Sequence, residues 1–260
     1  MSSYADFYRR SIDDRDAFWA EQARLIDWQT PPQTICDYSK PPFAKWFVGG
    51  TTNLCHNAVD RHLKDRADQP ALIFVSTETD QEKVYTFREL HAEVQRMAAV
   101  LKDLGVGKGD RVLIYMPMIA EAAFAMLACV RIGALHSVVF GGFASGSLAT
   151  RIEDAEPKVI VSADAGSRGG KAVPYKPLLD EAIRLSKHKP GAVLLVDRGL
   201  VPMTLEAGRD RLWAAERDKH LNTQVPCEWV DATHPSYTLY TSGTTGKPKG
   251  VQRDTGGYAV

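Results

Sequence analysis

A run of ten residues near the end of the sequence carries a high density of groups that bind phosphate. The run TSGTTGKPKG, residues 241–250, contains three glycines, four hydroxyl side chains and two lysines. Glycines let the backbone approach an anion and adopt positive φ, and successive backbone N–H groups can form an anion-binding nest. The run therefore predicts a phosphate-binding loop. Its candidate residues are Thr241, Ser242, Gly243, Thr244, Thr245, Gly246, Lys247, Lys249 and Gly250.

The obvious alternative is the Walker A loop of a P-loop NTPase, and the spacing does not fit it. That loop requires G-x-x-x-x-G-K followed by serine or threonine. Here the two glycines before Lys247 are three residues apart, and Pro248 stands where the hydroxyl is needed. Pro248 also disfavours helix at Lys247, so the loop need not lead straight into a helix. A polar turn without function is the other interpretation, and the density of phosphate-directed groups argues against it.

Two further glycine-rich segments follow predicted strands. FGGFASG, residues 140–146, precedes a helix whose N-terminus favours an anion, although on its own it is equally well a tight turn. DAGSRGGK, residues 164–171, predicts a loop that carries Arg168 and Lys171. The planar guanidinium of arginine suits phosphate, and a pair of solvated surface cations is the alternative.

The order of predicted elements explains why these segments should lie together. Strands are predicted at RVLIYMP, HSVVF, VIVSA and AVLLVD, and helices alternate with them. The strands are apolar throughout, which is typical of a mostly parallel sheet covered by helices on both faces, an α/β fold. Ligands of such sheets bind at the carboxyl ends of the strands. We therefore expect the three glycine-rich segments at one edge of the sheet, with SYTLYT as the last strand.

The elements outside this alternation are less regular. The first forty or so residues predict a polar helix that begins near Asp13 or Asp14, followed by an irregular segment. A second helix is expected over Thr52–Lys64, and then a hairpin formed by ALIFVST and VYTF. A T-x-x-E capping box starts the helix that ends at Gly105. Residues Arg198–Asp231 predict a short helix and loops.

Composition excludes several classes of partner. Basic and acidic residues number 32 each, so bulk charge does not indicate nucleic acid or a membrane surface. The opening MSSYADFYRRSIDD is polar and does not resemble a secretory signal. The most apolar stretch, Val112–Phe140, is interrupted by Pro117, Glu121, Arg131 and His136, which is typical of core rather than of a membrane span.

The four cysteines do not form a metal-binding or disulfide pattern in the sequence. They are Cys36, Cys55, Cys129 and Cys227. No C-x-x-C pair occurs among them, and no histidine pair follows at zinc spacing. The sequence therefore predicts scattered, reduced and mostly buried thiols and no metal site, as expected for a cytoplasmic protein.

The phosphate-loop run and four longer segments resemble one family. YTSGTTGKPKG is similar to the phosphate-loop signature of the adenylate-forming enzymes, the superfamily of acyl-CoA synthetases, luciferases and peptide-synthetase adenylation domains. WFVGGTTNLCHNAVDRHL and SADAGSRGGKAVPYKPL resemble its acetyl-CoA synthetase branch. DFYRRSIDDRDAFWAEQARLIDWQTPP and GTTGKPKGVQRDTGGYAV look closest to the propionate-activating members of that branch. The resemblance covers essentially the whole chain.

The resemblance implies a domain arrangement and a role for each glycine-rich segment. Residues 1–64 would form an amino-terminal arm, and residues 65–260 the first part of the AMP-binding domain. The phosphate loop would hold the β and γ phosphates of ATP, which binds with Mg²⁺. Residues 140–142, which are Phe140, Gly141 and Gly142, would lie beside coenzyme A. Arg168 matches the first of two family arginines that contact the CoA nucleotide, whereas Lys171 replaces the second and loses its bidentate fork.

The resemblance also implies an activity. Family members join a carboxylate to AMP with release of diphosphate, and the CoA thiol then displaces AMP. The acid expected here is propionate, with acetate as the alternative. A non-catalytic nucleotide- or CoA-binding module is an alternative of another class.

In the family, the acyl pocket, the adenine pocket and the catalytic lysine follow the phosphate loop. We therefore expect no catalytic residue in these 260 residues and no activity from them alone. A sheet that ends after its last strand would leave an unpaired edge and uncovered apolar surface, which predicts low solubility.

Overall fold

The computed structural model describes residues 3–241 and 248–260. Within these residues the helices are α1 (Tyr4–Asp13), α2 (Arg15–Gln22), α3 (Leu54–Ala58), α4 (Phe87–Asp103), α5 (Ala120–Arg131), α6 (Ser145–Ala155), α7 (Tyr175–Leu185), α8 (Trp213–Asp218) and α9 (Thr255–Ala259). The strands are β1 (Thr34–Lys40), β2 (Phe43–Val48), β3 (Thr51–Thr52), β4 (Pro70–Ser76), β5 (Gln81–Thr86), β6 (Arg111–Met116), β7 (Leu135–Phe140), β8 (Val159–Ala163), β9 (Ala165–Arg168), β10 (Lys171–Pro174), β11 (Ala192–Val196), β12 (Asp210–Leu212), β13 (Val230–Asp231), β14 (Pro235–Thr241) and β15 (Lys249–Asp254).

The main sheet of the described residues has seven strands in the order β12-β11-β8-β6-β7-β14-β15. Neighbouring strands from β12 to β14 are parallel, and β15 pairs antiparallel with β14. The central strands β8 and β11 are buried along their whole length. Continuous burial on both faces explains why their sequences are apolar throughout. The predicted mostly parallel α/β sheet is confirmed.

Helices cover both faces of this sheet and bury alternate residues of each strand. Val112 and Ile114 of β6 pack with α4 and α5 in one core. Leu113 and Tyr115 of the same strand pack with α6 and α7 in a second core. The period of two residues follows from the pleat of a strand. Burial of each such aliphatic side chain contributes roughly 1.5–3 kcal/mol to the free energy of folding relative to its exposure, so the two cores stabilise the sheet.

The predicted capping box at the start of α4 is present. The backbone N–H of Glu89 donates to Thr86 Oγ1 at 3.2 Å, and the backbone N–H of Thr86 donates to Glu89 Oε2 at 2.8 Å. After α4, Gly105 adopts a φ of 84°, the left-handed conformation that glycine tolerates at a helix end. Local chemistry therefore sets both ends of this helix.

The amino-terminal segment is more regular than the sequence predicts. An unpredicted helix, α1, is capped by Ser3 and Asp6, and the segment expected to be irregular forms the β1–β2 hairpin. Pro41 and Pro42 occupy the turn of this hairpin. The helix expected over Thr52–Lys64 is shortened to α3, because Val59 leaves the helical region with a φ of −129°.

Three predictions for the later part of the chain were wrong in detail. The region expected to hold a short helix and loops also contains β12, which extends the main sheet, and β13, which pairs with β3. The segment DAGSRGGK, expected as a loop, belongs to the β9–β10 hairpin. SYTLYT is not the last strand, because β15 pairs along it at the sheet edge. Pairing with a neighbouring strand decides all three, and the strand segments themselves carry little local signal. The Gly169-Gly170 turn is the exception, because it favours a tight hairpin.

No helix within residues 3–241 and 248–260 is both long and apolar enough to cross a membrane.

Candidate functional site

The candidate site lies at one edge of the main sheet. Strands β8, β7 and β14 end at Ala163, Phe140 and Thr241, and each end leads into one of the three glycine-rich segments. These strands are parallel within the order β8-β6-β7-β14, so their carboxyl ends share an edge. The topology therefore brings the first residues of the three segments to one side of the sheet.

The β9–β10 hairpin sets Arg168 and Lys171 side by side. The two residues are direct cross-strand partners at the end of the hairpin, and both are exposed. Gly169 and Gly170 join them with φ values of 58° and 76°. Positive φ at both central residues is the signature of a tight type I′ turn, which favours glycine. The hairpin thus presents two cations at its tip, as a phosphate group would require.

The segment after β7 forms a turn that exposes one aromatic ring. Phe140 is 70% exposed and lies over Gly142, where an added Cβ would lie 2.4 Å from the Phe140 ring. Gly141 is buried, and a Cβ added there would lie 1.9 Å from Tyr175 Oη. Close packing against the buried Tyr175 therefore requires glycine at position 141, whereas the exposed Phe140 ring could move away from a side chain at position 142 and is accessible to a ligand.

Two tyrosines, Tyr115 and Tyr175, lie between the turn after β7 and the β9–β10 hairpin. The sequence analysis did not identify them. The Tyr175 hydroxyl that approaches Gly141 would also lie 2.4 Å from a Cβ on Gly166 in β9. Tyr115 packs against it with ring centroids 4.9 Å apart and donates its Oη hydrogen to the carbonyl oxygens of Gly141 and Phe143, each at 3.2 Å. Burial, followed by the neighbouring Tyr175, raises the pKa of Tyr115 to about 12. Tyr115 therefore stays protonated and keeps this bond at neutral pH.

Most of the predicted phosphate loop lies outside the described residues. These positions are Ser242, Gly243, Thr244, Thr245, Gly246 and Lys247. Thr241 ends β14 and pairs with Lys249, and Tyr240 pairs with Gly250. The described ends of the loop are thus held side by side in an antiparallel ladder, with Thr241 and Lys249 exposed at the sheet edge.

Helix α6 contacts both the turn after β7 and the strand before the phosphate loop. Arg151 Cζ lies 4.2 Å from the ring centroid of Phe143 and 5.6 Å from that of Tyr240. Tyr240 Oη donates to Asp154 Oδ2 at 2.6 Å. Burial lowers the pKa of Arg151, and burial together with the bond to Asp154 raises the pKa of Tyr240. One helix therefore joins two parts of the candidate site, a link without a recognisable sequence motif.

A second cluster of chemically active side chains lies away from this edge. Cys55, Asp60 and Cys227 approach within 4.8 Å of one another, so the predicted scatter of the thiols does not hold for this pair. Arg131 donates to Asp60 Oδ2 at 2.8 Å, to Asp60 Oδ1 at 2.9 Å and to Cys55 Sγ at 3.4 Å. The guanidinium and the Asp60 carboxylate therefore form a largely buried, bidentate ion pair. Three of the four free cysteines are buried, as predicted.

Two family profiles match the chain. Residues 59–260 match the AMP-binding enzyme family, and residues 4–58 match the acetyl-coenzyme A synthetase N-terminus. The boundary between them lies within α3 and the turn that follows it.

Similar proteins carry the names of acyl-CoA synthetases. The chain is 60% identical to propionate–CoA ligase of Escherichia coli strain K12 over 258 residues, which cover 99% of this chain and 41% of that protein. It is 50% identical to acetyl-coenzyme A synthetase of Methylobacterium radiotolerans over 263 residues, which cover 100% of this chain and 40% of that protein.

A solved structure supports the same relationship. The acetoacetyl-CoA synthetase from Streptomyces lividans superposes with a TM-score of 0.86 at 31% identity, over 99% of this chain and 39% of the other. The chain spans about two fifths of the length of the curated relatives it matches. The AMP-binding profile covers more than half of the residues, and the chain belongs to the AMP-binding enzyme family.

Proposed function

We propose that this chain supplies the ATP phosphate-binding and CoA-binding part of a short-chain acyl-CoA synthetase. The reaction converts propionate, ATP and CoA into propionyl-CoA, AMP and diphosphate. The observation that carries the proposal is the pair Arg168 and Lys171, held at the same sheet edge as the turn after β7 and the end of β14. Family membership and the similarity to propionate–CoA ligase support it.

In the first step, a propionate oxygen attacks the α-phosphorus of ATP. The bond from that phosphorus to the bridging oxygen breaks, and diphosphate leaves with the electron pair. Negative charge on the β and γ phosphates is stabilised by preorganised donors and cations. Mg²⁺ enters with ATP as part of the substrate. The residues assigned to these phosphates are Thr241, Ser242, Gly243, Thr244, Thr245, Gly246, Lys247, Lys249 and Gly250.

In the second step, the CoA sulfur attacks the acyl carbon and loses its proton, and the bond from that carbon to the AMP oxygen breaks. The part of the site proposed for CoA holds its nucleotide and not its thiol. Its residues are Phe140, Gly141, Gly142, Arg168 and Lys171. Holding the nucleotide end orients the thiol for attack and reduces the entropy cost of the step.

The proposal assigns neither acyl selection nor proton transfer to any residue of this chain. We therefore expect the 260 residues assayed alone to release no AMP from propionate, ATP and CoA. Residues 1–64 would act as an arm on the body formed by residues 65–260, an arrangement supported by the pairing of β3 with β13. The free thiols agree with a reducing compartment such as the cytoplasm.

Acetate is the second candidate substrate, because acetyl-coenzyme A synthetases are also similar to the chain, at 50% identity. One additional methylene in an apolar pocket changes selectivity by roughly 10- to 200-fold. Comparison of kcat/KM for propionate and acetate therefore distinguishes the two acids.

The test uses the product of the gene at its natural length, with ATP, Mg²⁺, CoA and each acid in turn. We expect propionyl-CoA, AMP and diphosphate in equal amounts, with propionate preferred over acetate. Release of ADP and phosphate would contradict the proposed chemistry. Binding of ATP and CoA without turnover would favour a non-catalytic binding module instead. The chain of 260 residues, assayed in parallel, tests whether these residues suffice.

A further inference from the structure

We propose that Glu78 and Arg198 are positioning residues that hold the Arg168–Lys171 hairpin in place for the CoA nucleotide. This inference rests on the proposed function and assigns to both residues a role that no sequence motif indicates. Neither side chain touches the ligand in this account. Both act through the backbone of β9.

The hairpin needs anchors because the main sheet does not hold it. Within the described residues, β9 and β10 form a separate two-stranded sheet that pairs with no other strand. A two-stranded hairpin is marginally stable by itself in water. Its orientation therefore depends on side chains that reach its backbone from elsewhere in the fold.

Glu78 and Arg198 supply two such contacts on the strand that leads to Arg168. Arg198 Nη1 donates to the carbonyl oxygen of Ala165 at 2.9 Å. The backbone N–H of Ser167 donates to Glu78 Oε1 at 3.0 Å. Arg198 Nη2 donates to the second carboxylate oxygen of Glu78, which joins the two anchors. The bonded positions lie three residues and one residue before Arg168 in the sequence.

The two anchors come from separate parts of the chain. Glu78 lies in the turn between β4 and β5, and Arg198 follows the end of β11. Their side chains are 24% and 7% exposed, so the ion pair is largely shielded from water and less screened than a surface pair. The Glu78–Arg198 ion pair thereby links the β4–β5 hairpin and the end of β11 to the β9–β10 hairpin.

The pairing also explains why Arg198 is not itself a phosphate ligand. Its two terminal nitrogens are engaged by Ala165 and Glu78, and the carboxylate compensates its charge. Arg168 and Lys171 are exposed beyond the anchored part of the hairpin. The structure therefore separates cations that hold the hairpin from cations that face the ligand.

The test compares two half-reactions in the product of the gene at its natural length. Propionate-dependent ATP–diphosphate exchange without CoA reports the first step, and the CoA dependence of propionyl-CoA formation reports the second. For Glu78→Gln and for Arg198→Lys, we expect the exchange rate to stay within about twofold of wild type. We expect KM for CoA to rise roughly tenfold, as for loss of one charge-assisted hydrogen bond.

A matched control and a second substrate sharpen the test. Glu181→Gln removes an ion pair with Arg184 on the exposed surface of α7 and should leave both half-reactions unchanged. CoA without its 3′-phosphate should show a smaller KM increase in Glu78→Gln, because fewer phosphate charges depend on the hairpin. Intact exchange also shows that each variant is folded.

The possible outcomes separate the inference from the proposed function. An unchanged KM for CoA with intact exchange would overturn the inference alone. An equal fall of both half-reactions would also overturn it, because the residues would then be only structural. Absence of exchange and of CoA binding in the wild-type protein would reject the proposed function, and the inference with it.

Discussion

Arg168 and Lys171 carry equal charge but different geometry, and their substitutions should differ. The Arg168 guanidinium can bind a phosphate through two parallel hydrogen bonds, whereas the Lys171 ammonium acts as a point charge. We expect Arg168→Ala to raise KM for CoA by about tenfold or more and Lys171→Ala by about threefold. Lys171→Arg should lower KM for CoA below the wild-type value.

Steady-state kinetics at saturating ATP and propionate measure these differences. Arg184→Ala serves as the control, because Arg184 is exposed on α7 and pairs with Glu181. Equal KM values for CoA in the wild type, Arg168→Ala and Arg184→Ala would show that the hairpin does not bind the nucleotide.

Removal of the buried Arg131 charge should strongly destabilise the fold. Its side chain is 3% exposed, and its partner Asp60 is 18% exposed. Burial alone would raise the pKa of Asp60, but hydrogen bonds from His91 and Arg131 outweigh burial and hold that pKa below its usual range. Arg131→Met leaves this carboxylate without its main partner, so we expect a loss of about 3–5 kcal/mol in the free energy of unfolding.

Urea denaturation of the variant and the wild type at neutral pH measures this loss. Arg217→Met is the control, since Arg217 and its partner Asp218 are 36% and 58% exposed. Its cost should stay below about 1 kcal/mol. Similar costs for the two variants would contradict the role assigned to the buried pair.

His136 should make stability depend on pH. Burial lowers its pKa to about 4, and within residues 3–241 and 248–260 its Nδ1 has no hydrogen-bond partner. Between about pH 6.5 and pH 4 the unfolded state therefore binds a proton that the folded state does not, so stability falls as pH falls. Because the ring also lines an open cleft, solvent reduces the cost of charging it, and we expect a loss of about 2 kcal/mol across this window.

His136→Phe should remove this part of the pH dependence and leave stability at pH 7 nearly unchanged. Chemical denaturation at several pH values between 4 and 7 measures the effect. His188→Gln controls for the loss of one histidine. An identical pH slope in the wild type and in His136→Phe would show that His136 does not cause it.

At the scale of elements, the contact of Tyr175 with two glycines fixes the spacing of the β9–β10 hairpin and the turn after β7. An added Cβ on Gly166 would lie 2.4 Å from Tyr175 Oη, whereas one on Gly107, between α4 and β6, would lie 3.8 Å from its nearest neighbour, Asp110 Oδ2. Gly166→Ala must therefore displace the hairpin or the tyrosine. We expect at least a tenfold rise in KM for CoA, as for loss of one charge-assisted contact.

Gly107→Ala is the matched control and should be neutral or slightly stabilising, because its φ is not positive and the added methyl group has room. CoA titration of both variants, together with thermal unfolding, gives the comparison. Equal effects of the two substitutions on KM for CoA would contradict the spacing role of Tyr175.

The elements with strong local patterns could be predicted from the sequence. Thr86 and Glu89 predict the start of α4, because a capping box is formed by two residues that are three apart in the sequence. The continuous apolar strands around Ile114 and Val161 predict a parallel sheet that is covered by helices on both faces. The resemblance of the phosphate-loop run to the signature of the adenylate-forming enzymes predicted the family, and the profile match confirmed it.

The rest of the site could not be predicted, because it depends on contacts between distant residues. Tyr175 lies 34 residues beyond Gly141 in the numbering, and nothing local marks their approach. Strand β15 forms from a short polar segment that only its partner β14 makes regular. The β9–β10 hairpin does carry a local signal, the Gly169-Gly170 turn. The assignment of substrate contacts to Arg168 and Lys171 stays a prediction.

At the scale of the whole molecule, an apolar cleft should govern the behaviour of the 260-residue chain in solution. A cleft of about 660 Å³ lies beside α5, and its lining includes Met126, Val138, Tyr237 and Leu239. Exposed apolar surface of this kind favours association. We expect concentration-dependent self-association of the isolated chain in sedimentation velocity experiments, in agreement with the low solubility predicted from the sequence.

Charge placed in the cleft should reduce this association. Val138→Lys introduces a cation at a lining position that is 36% exposed, whereas Val84→Lys places one at a position in β5 that is 43% exposed and outside the cleft. We expect the first variant to be more monomeric than the second. A monomeric wild-type chain with sharp, reversible unfolding would contradict the account.

We expect ATP and CoA to bind along the carboxyl ends of the parallel strands of the main sheet, through the three glycine-rich segments. Hydrogen–deuterium exchange of the gene product at its natural length, with each ligand in turn, tests this most directly. CoA should slow exchange in residues 140–146 and 164–171, and ATP with Mg²⁺ should slow it in residues 241–250, while β12 and α8 stay unchanged. Bound ligands that protect none of these three segments would contradict the account.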